Sequence, residues 1–295
     1  MTSKMQEIKK KVVLLDDAIK KGNKKWVEED ILQLLAEISI LGNKLKIGEP
    51  DRLLDKADKL VEKWYEKKSE EKVCYFDVRN FYGKWASDYD SYPNIAIYLE
   101  EKFNKDILSV KDKDVLDLGC GTGRYLLRLA KNNRVVGVDF SKEMLGVAQK
   151  NLKKSKLDAE LIAQDITKYK SNKKFDLIIS MLVFDHLKDV SKLLKVIYES
   201  SKIGTEFVFS GVEPARIFRA IAEKDGKAKL LDFASTNQYY HPLEEYLKIL
   251  RPFGFELVDY KHIFYEKKYQ TKKMKKYEKI LNKPILVIYK FRRLK

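Results

Sequence analysis

The chain has 295 residues, which permits one large domain or a core domain with a smaller attached module. Its formal net charge of +16 suits anionic partners, and an apolar fraction of 44% is enough to bury a core. The two cysteines, Cys74 and Cys120, are too few for a disulfide framework and favour a reducing compartment. The sequence shows neither the apolar core of a signal peptide at its start nor an apolar run of about 18 residues. We therefore expect a cytoplasmic protein.

Residues 1–72 are highly charged, and their apolar positions recur at helical spacing. Gly-Asn pairs at residues 22–23 and 42–43 follow the first two periodic stretches, and Pro50 precedes the third, as is typical of helix ends and starts. We predict a three-helix module that packs against a following domain over residues 73–295. Its role is open among dimerisation, substrate capping, partner binding and a plain packing extension.

Three aromatic residues stand just after this module. Tyr82, Trp85 and Tyr89 are spaced by three and four residues, so their rings would share one face of a helix. One interpretation of this stripe is that it faces the core of the following domain.

A glycine-rich turn is the most informative local feature. An apolar run at residues 115–118 is followed by Gly119-Cys120-Gly121-Thr122-Gly123 and then by a helix-like stretch at residues 125–130. Glycine lets the backbone turn sharply and approach a ligand closely, because no Cβ intervenes. A helix N-terminus at the same place favours a negatively charged group such as a carboxylate. For Cys120 we favour a small residue that fills the turn over a nucleophile.

Acidic residues follow the next two strand-like runs. The run at residues 134–139 ends in Asp139, and the run at residues 159–164 is followed by Asp165. A carboxylate about 20 residues after the glycines is placed to accept hydrogen bonds from ribose hydroxyls. Asp165 has a second interpretation, as the cap of a helix or turn.

Alternating strand and helix patterns continue to the end of the sequence and predict a mostly parallel, doubly wound α/β sheet. The predicted strands are residues 175–182, 205–210, 255–264 and 285–291, and the predicted helices are residues 190–203 and 243–250. Residues 213–240 form a predicted insertion.

This order of glycine turn, strand-end acids and helices resembles the class I S-adenosylmethionine (SAM) dependent methyltransferases over about residues 76–293. The third glycine comes one residue earlier than in the dinucleotide pattern G-x-G-x-x-G, which favours SAM over NAD. The resemblance implies SAM as the cofactor. It also implies a Rossmann-like seven-stranded sheet, in which the last strand is antiparallel and pairs with the sixth.

The resemblance also implies roles for individual residues. The glycine turn holds the methionine moiety of SAM, Asp139 the ribose and Asp165 the adenine amino group, while Met144 and Ile166 cover the adenine ring. In the small-molecule branch of the family, a segment like that of the three aromatic residues lies over the cofactor pocket as a lid. The implied cofactor-binding residues are Asp117, Gly119, Cys120, Gly121, Gly123, Asp139, Phe140, Met144, Asp165, Ile166, Ser180, Tyr82, Trp85 and Tyr89.

Methyl transfer from SAM mainly requires alignment of the acceptor and exclusion of water, because the electrophile is already activated. Where a base is needed, His186 is the first candidate because it follows the fourth strand, and it could titrate near neutral pH. His241, beside two tyrosines in the predicted insertion, is its rival. For each histidine a purely structural role is the alternative.

The end of the fourth strand bears on the substrate. Residues 180–183 are Ser-Met-Leu-Val, whereas enzymes that methylate nucleobase amino groups commonly carry (Asp/Asn)-Pro-Pro-aromatic at this point. The form here resembles methyltransferases that act on small molecules, including the ubiquinone and menaquinone type. The leading hypothesis is therefore methyl transfer to an oxygen or carbon of a small molecule.

Positive charge is concentrated at the end of the chain. Residues 261–295 contain 13 Lys/Arg and 2 Asp/Glu, most densely between Lys267 and Lys276. Interleaved tyrosines would suit phosphate contact with base stacking, so an RNA methyltransferase is the second hypothesis. An anionic membrane surface or a plain solvated hairpin are further interpretations. A SAM-binding protein without catalysis is the third hypothesis, and the oligomeric state is left open.

Overall fold

The computed structural model describes residues 82–83, 86–87, 89–91, 94–212, 239, 241, 243–282 and 284–295. All of them belong to one unit, made of Tyr75–Val212 and Phe233–Lys295. The predicted module at residues 1–72, Trp85 and nearly all of the predicted insertion lie outside the described residues.

One sheet of seven strands organises these residues. The strands are β1 (Asp114–Leu118), β2 (Arg134–Asp139), β3 (Glu160–Ala163), β4 (Phe175–Met181), β5 (Ser201–Val212), β6 (Phe255–Phe264) and β7 (Pro284–Arg293). Their order is β3-β2-β1-β4-β5-β7-β6. Strands β1 to β5 pair in parallel, whereas β7 is antiparallel to both β5 and β6. The predicted α/β class, the seven-stranded sheet and the antiparallel last strand are confirmed.

The helices follow the strands as the alternating pattern predicts. They are α1 (Ile95–Phe103), α2 (Lys105–Leu108), α3 (Arg124–Leu129), α4 (Lys142–Ser155), α5 (Ser191–Ser200) and α6 (Leu243–Leu250). Two of them begin at capping side chains. Asn94 accepts hydrogen bonds from two amides of α1, and Ser141 accepts one from the amide of Met144 in α4.

The core has two layers, one on each face of the sheet. Val115 and Leu177 belong to an apolar cluster with α1, α3 and α4, whereas Leu116 and Ile178 belong to a cluster with α5 and α6. Successive strand residues point to opposite faces. Because both faces are covered, the central strands are continuous apolar runs, and this is why the sequence marks them clearly.

The predicted helix at residues 190–203 extends three residues too far at its C-terminal end. Helix α5 ends at Ser200, and β5 begins at Ser201, which pairs with Phe175 of β4. The hydroxyl of Thr205 donates to the carbonyl oxygen of Phe175 and accepts a hydrogen bond from the amide of Lys202. These contacts to a distant strand override the local helical pattern.

Candidate active site

The glycine turn between β1 and α3 has a backbone that glycine is needed to form. Gly119 and Gly121 have φ angles of +80° and +53°, in the left-handed region. A Cβ on Gly119 would also lie 2.5 Å from Cγ2 of Val183, whereas a Cβ on Gly121 would meet nothing within 4 Å. The turn is therefore packed against the segment after β4 on one side, while at Gly121 it borders open space.

Asp139, at the end of β2, is held in a defined position beside this turn. Its Oδ2 accepts a hydrogen bond of 2.9 Å from the amide of Gly121, and its Oδ1 accepts one of 2.9 Å from the amide of Ser141. Burial raises the pKa of Asp139, and the amide hydrogen bonds oppose this. A carboxylate has about four lone-pair sites, so it retains acceptor capacity for a diol.

A cavity of about 290 Å³ lies at the carboxyl ends of β1, β2 and β4. The strand order changes direction between β1 and β4, which is where open α/β sheets bind ligands. The structure brings ten predicted site residues to its wall: Tyr82, Tyr89, Gly119, Gly121, Asp139, Phe140, Met144, Asp165, Ile166 and His186.

Four apolar residues complete the cavity wall: Met181, Leu182, Val183 and Leu187. Residues 181 and 182 were predicted at the end of the fourth strand, whereas Val183 and Leu187 were not predicted as site residues. Val183 and Leu187 directly precede and follow Phe184–His186, a short 3-10 helix that returns His186 to the cavity. Their closeness in sequence to the candidate base His186 was the available signal.

Leu182 makes the sharp bend that brings this segment over the cavity. Its φ is +58°, which is uncommon for a residue with a side chain. Its amide donates to the hydroxyl of Ser210 at 3.0 Å and also contacts the carbonyl oxygen of Ser210 at 3.2 Å. The end of β5 thus holds the bend in place.

Other predicted cofactor residues lie behind the turn and outside the cavity wall. Asp117 is 3% exposed, and burial raises its pKa to about 7. The hydroxyl of Ser180 donates to the carbonyl oxygen of Leu118 at 2.8 Å. Gly123 lies at the start of α3, where a Cβ would lie 3.1 Å from Cβ of Ala148.

Cys120 has the environment of a packing residue. It is 7% exposed, and burial raises the pKa of its thiol, so the side chain stays in the unreactive protonated form. A Cβ on Gly137 of β2 would lie 2.9 Å from Sγ of Cys120. The thiol therefore fills space between the turn and β2.

Asp165 caps a short helix and also lies at the cavity wall. Its Oδ1 accepts hydrogen bonds from the amide and the hydroxyl of Thr167, at 3.0 Å and 2.7 Å, and thereby caps the short 3-10 helix Ile166–Lys168. Asp165 also lines the cavity, next to Ile166.

Tyr82 and His186 contact each other at the cavity wall. The Tyr82 hydroxyl lies 2.9 Å from Nε2 of His186, and the two rings meet edge to face at 5.4 Å. Burial raises the pKa of Tyr82 well above its ordinary value. The hydroxyl therefore keeps its proton near neutral pH and can donate a hydrogen bond to Nε2.

His241 lies away from the cavity wall. Its Nδ1 is 3.0 Å from Oε2 of Glu245, and its Nε2 is 2.7 Å from the carbonyl oxygen of Leu187. Burial lowers the pKa of His241, but hydrogen bonds to Glu245 and Leu187 outweigh this and raise it above the ordinary value. Both neighbouring oxygens are hydrogen-bond acceptors, so the protonated imidazole can donate a hydrogen bond to each. This geometry favours the structural interpretation of His241 and leaves His186 at the cavity.

The segment before α1 is attached to the glycine turn. The hydroxyl of Thr122 donates to Oδ1 of Asp90 at 2.9 Å. Tyr89, next to Asp90, lines the cavity, and burial raises its pKa to about 12 although the charge of Arg124 opposes this. These contacts agree with the prediction that the segment before α1 covers one side of the cavity.

The residues at the cavity fit SAM. The glycine turn offers a close backbone approach and the N-terminus of α3 to a carboxylate. Asp139 offers oriented acceptors to a ribose diol, and Phe140, Met144 and Ile166 offer apolar cover to an adenine ring.

Relatives agree with this assignment. Residues 109–277 match the family model described as a methyltransferase domain. The chain is similar to malonyl-[acyl-carrier protein] O-methyltransferase 1 of Ilyobacter polytropus, with 28% identity over 137 residues, covering 45% of this chain and 51% of that protein. It is also similar to the ubiquinone biosynthesis O-methyltransferase of Coxiella burnetii, with 32% identity over 121 residues, covering 40% and 51%. The chain thus spans about half the length of these curated relatives.

Among solved structures, a SAM-dependent methyltransferase from Mesorhizobium loti shares the fold, with a TM-score of 0.50 and 20% sequence identity. The match covers 65% of this chain and 97% of that one. The family match extends over more than half of the chain, and it coincides with the glycine turn and the acids at the strand ends. The chain therefore belongs to the class I SAM-dependent methyltransferases, and its cofactor is SAM.

Proposed function

We propose that the protein methylates an oxygen atom of a small-molecule acceptor held beside His186. The observation that carries this proposal is the 2.9 Å contact between the Tyr82 hydroxyl and Nε2 of His186 at the cavity wall. This contact supports the proposal because a hydroxyl oxygen already lies within hydrogen-bond distance of the imidazole. An acceptor hydroxyl would take the place of the Tyr82 hydroxyl at Nε2.

The chain's own residues would bind the cofactor, orient the acceptor and accept its proton. SAM supplies a methyl group on a sulfonium, which is already activated for displacement. Nε2 of His186 would accept the proton of the acceptor hydroxyl as the oxygen bonds to the methyl carbon. Met181, Leu182 and Val183 would exclude water and align the acceptor, since they form an apolar wall next to His186.

The names of the relatives also favour oxygen as the acceptor atom, since both are O-methyltransferases. One is named for ubiquinone biosynthesis and the other for a malonyl group on an acyl carrier protein. A hydroxyl acceptor needs a base, whereas a carboxylate acceptor does not, because it is already deprotonated near neutral pH. A rate of methyl transfer that depends on His186 would therefore indicate a hydroxyl acceptor, and a rate that does not would indicate a carboxylate.

Transfer of labelled methyl from SAM into a cell extract tests the proposal. We expect the label in the small-molecule or lipid fraction, with or without ribonuclease. Hydriodic acid should release it as methyl iodide, because this reagent cleaves methyl groups from oxygen and leaves those on carbon. The Asp139→Ala protein, which we expect to bind SAM poorly, is the negative control.

Three results would overturn the proposal. Label that disappears with ribonuclease would identify an RNA methyltransferase. Label that resists hydriodic acid would identify a carbon acceptor. Binding of SAM without transfer to any fraction would favour a SAM-binding protein without catalysis.

A further inference from the structure

The basic segment between β6 and β7 contains a helix whose buried residues recur every third position. Lys272–Ile280 is a 3-10 helix of nine residues, and such a helix has three residues per turn. Met274, Tyr277 and Ile280, three residues apart, are at most 6% exposed. Lys272 and Lys275, on another side of the helix, are exposed. We name residues 267–280 the lysine segment.

The lysine segment is fixed to the fold by its apolar side. The hydroxyl of the fully buried Tyr265 donates to the carbonyl oxygen of Met274 at 3.2 Å. Met274, Tyr277 and Ile280 belong to the same apolar cluster as helix α1. Lys272 and Lys275 are therefore carried on a helix that is fixed to the fold.

Tyr277 is buried and Tyr269 is in contact with other side chains, so neither presents a free ring for base stacking. Tyr277 is 3% exposed. The ring of Tyr269 lies edge to face against Phe103 at 5.7 Å, with the Nζ atoms of Lys102 and Lys268 at 5.5 Å and 5.0 Å from its centroid. The stacking on which the RNA hypothesis rested thus loses its support.

The segment also contains no arginine. Arginine is the residue best suited to bind an individual phosphate group through two hydrogen bonds. Lysine acts as a point charge, which suits a surface of many anionic groups. Among the described residues, no acidic side chain forms an ion pair with Lys267, Lys272 or Lys275, whereas Lys268 pairs with Glu266 at 2.9 Å. These three charges are available to a partner.

The position of the segment relates it to the cavity. Strand β6 runs parallel to β1 and β4, because each of β5 and β6 is antiparallel to β7. The lysine segment follows Phe264, the last residue of β6, so it leaves the sheet at the same edge at which the cavity lies.

We propose that the lysine segment binds the protein to an anionic lipid surface. We attribute the attraction to charge, because Met274, Tyr277 and Ile280 are buried in the protein and do not enter the lipid. Binding should therefore require anionic lipid and weaken steeply with salt, since free charges are screened over about 10 Å at 0.1 M ionic strength.

Sedimentation of the full-length protein with vesicles tests this inference. The vesicles contain phosphatidylcholine alone or mixed with phosphatidylglycerol. We expect binding only to the mixed vesicles, and a loss of about 100-fold when Lys267, Lys272 and Lys275 are all changed to Gln. The matched control changes Lys150, Lys153 and Lys154, exposed lysines of α4, to Gln and removes the same charge elsewhere. Both variants should retain SAM binding.

Equal vesicle binding by the two triple variants would overturn the proposal, as would equal binding of the unmodified protein to neutral vesicles. Tighter binding to RNA than to mixed vesicles at the same salt concentration, with RNA displacing the vesicles, would instead assign the lysine segment to RNA. Activity is not needed for any of these measurements, so they do not depend on the proposed O-methyl transfer.

Discussion

Oε2 of Glu100, a fully buried residue of α1, lies 2.8 Å from Nη2 of Arg124, the first residue of α3. The other carboxylate oxygen of Glu100 accepts a hydrogen bond from the hydroxyl of Ser210. Ser210 in turn holds the amide of Leu182 at the bend over the cavity. One buried carboxylate therefore connects the helix after the glycine turn to the wall on which the acceptor would rest.

Replacing Glu100 with Gln should lower the free energy of unfolding by about 3–5 kcal/mol, because the change removes one member of a buried ion pair. Urea denaturation measures the effect. Glu101→Gln is the matched control, since Glu101 is partly exposed and contacts Arg124 at 3.1 Å, so its loss should cost less than about 1 kcal/mol. Equal losses in the two variants would contradict a special role for the buried pair.

Asp139→Ala should weaken SAM binding by about 1–3 kcal/mol, the usual cost of losing hydrogen bonds to a charged acceptor. Isothermal titration calorimetry measures the affinity directly. Asp158→Ala, a change at an exposed aspartate after α4, should leave affinity unchanged. An unaltered affinity in Asp139→Ala would show that the ribose is held elsewhere.

Asp117 should make the folded protein less stable as the pH rises from about 4 to about 7. Its folded pKa of about 7 exceeds the ordinary value of about 3.9, so the folded state holds the proton more tightly than the unfolded state. Stability then declines across this interval, by at most about 4 kcal/mol at about 1.4 kcal/mol per pKa unit, and levels off above it. Denaturation curves of Asp117→Asn should lack this decline; the same decline in both proteins would exclude Asp117 as its source.

His241 should also make the folded protein less stable as the pH rises, but over a higher pH range than Asp117. Its pKa is raised in the folded state, so its stabilisation is fully present below about 6.5 and is lost as the pH rises through the folded value. The charged groups that face it are Glu245, Asp185 and Asp189. An NMR titration of the imidazole should give a pKa above 6.5 that falls in Glu245→Gln. A pKa that does not respond to this change would rule out the contact as its cause.

His186→Asn should reduce kcat for a hydroxyl acceptor by about 100- to 10,000-fold and leave SAM affinity unchanged, because the change removes only the base. Tyr82→Phe separates two roles for the neighbouring phenol. If the acceptor hydroxyl takes the place of the Tyr82 hydroxyl at Nε2 of His186, kcat of the Tyr82→Phe enzyme should stay within a few-fold of that of the unmodified enzyme. A loss in Tyr82→Phe as large as that in His186→Asn would mean that Tyr82 relays the proton.

The features predicted correctly from the sequence are those that local pattern determines. The central strands are apolar on both sides because both faces of the sheet are covered, so their residues stand out in any short window. Spacing alone also indicated Gly119 and Asp139, and the structure places both at the cavity wall. The structure adds what spacing cannot give, such as the hydrogen bonds that orient the carboxylate of Asp139.

The features that were missed depend on contacts between distant parts of the chain. Leu187 contacts His241 across 54 residues, and the end of α5 is decided by pairing of Ser201 with Phe175. Tyr277 was interpreted as suited to base stacking because the tyrosines of the basic hairpin are interleaved with lysines. A period of three residues, that of a 3-10 helix, places it inside instead.

That same period of three has an evolutionary consequence for Met274, Tyr277 and Ile280. Substitutions at the exposed positions between them change only surface charge. Inserting or deleting a single residue, however, would rotate every later side chain by about 120° and carry the apolar residues into water. Related sequences should therefore keep the length of this segment, or change it in steps of three, even where its exposed residues differ.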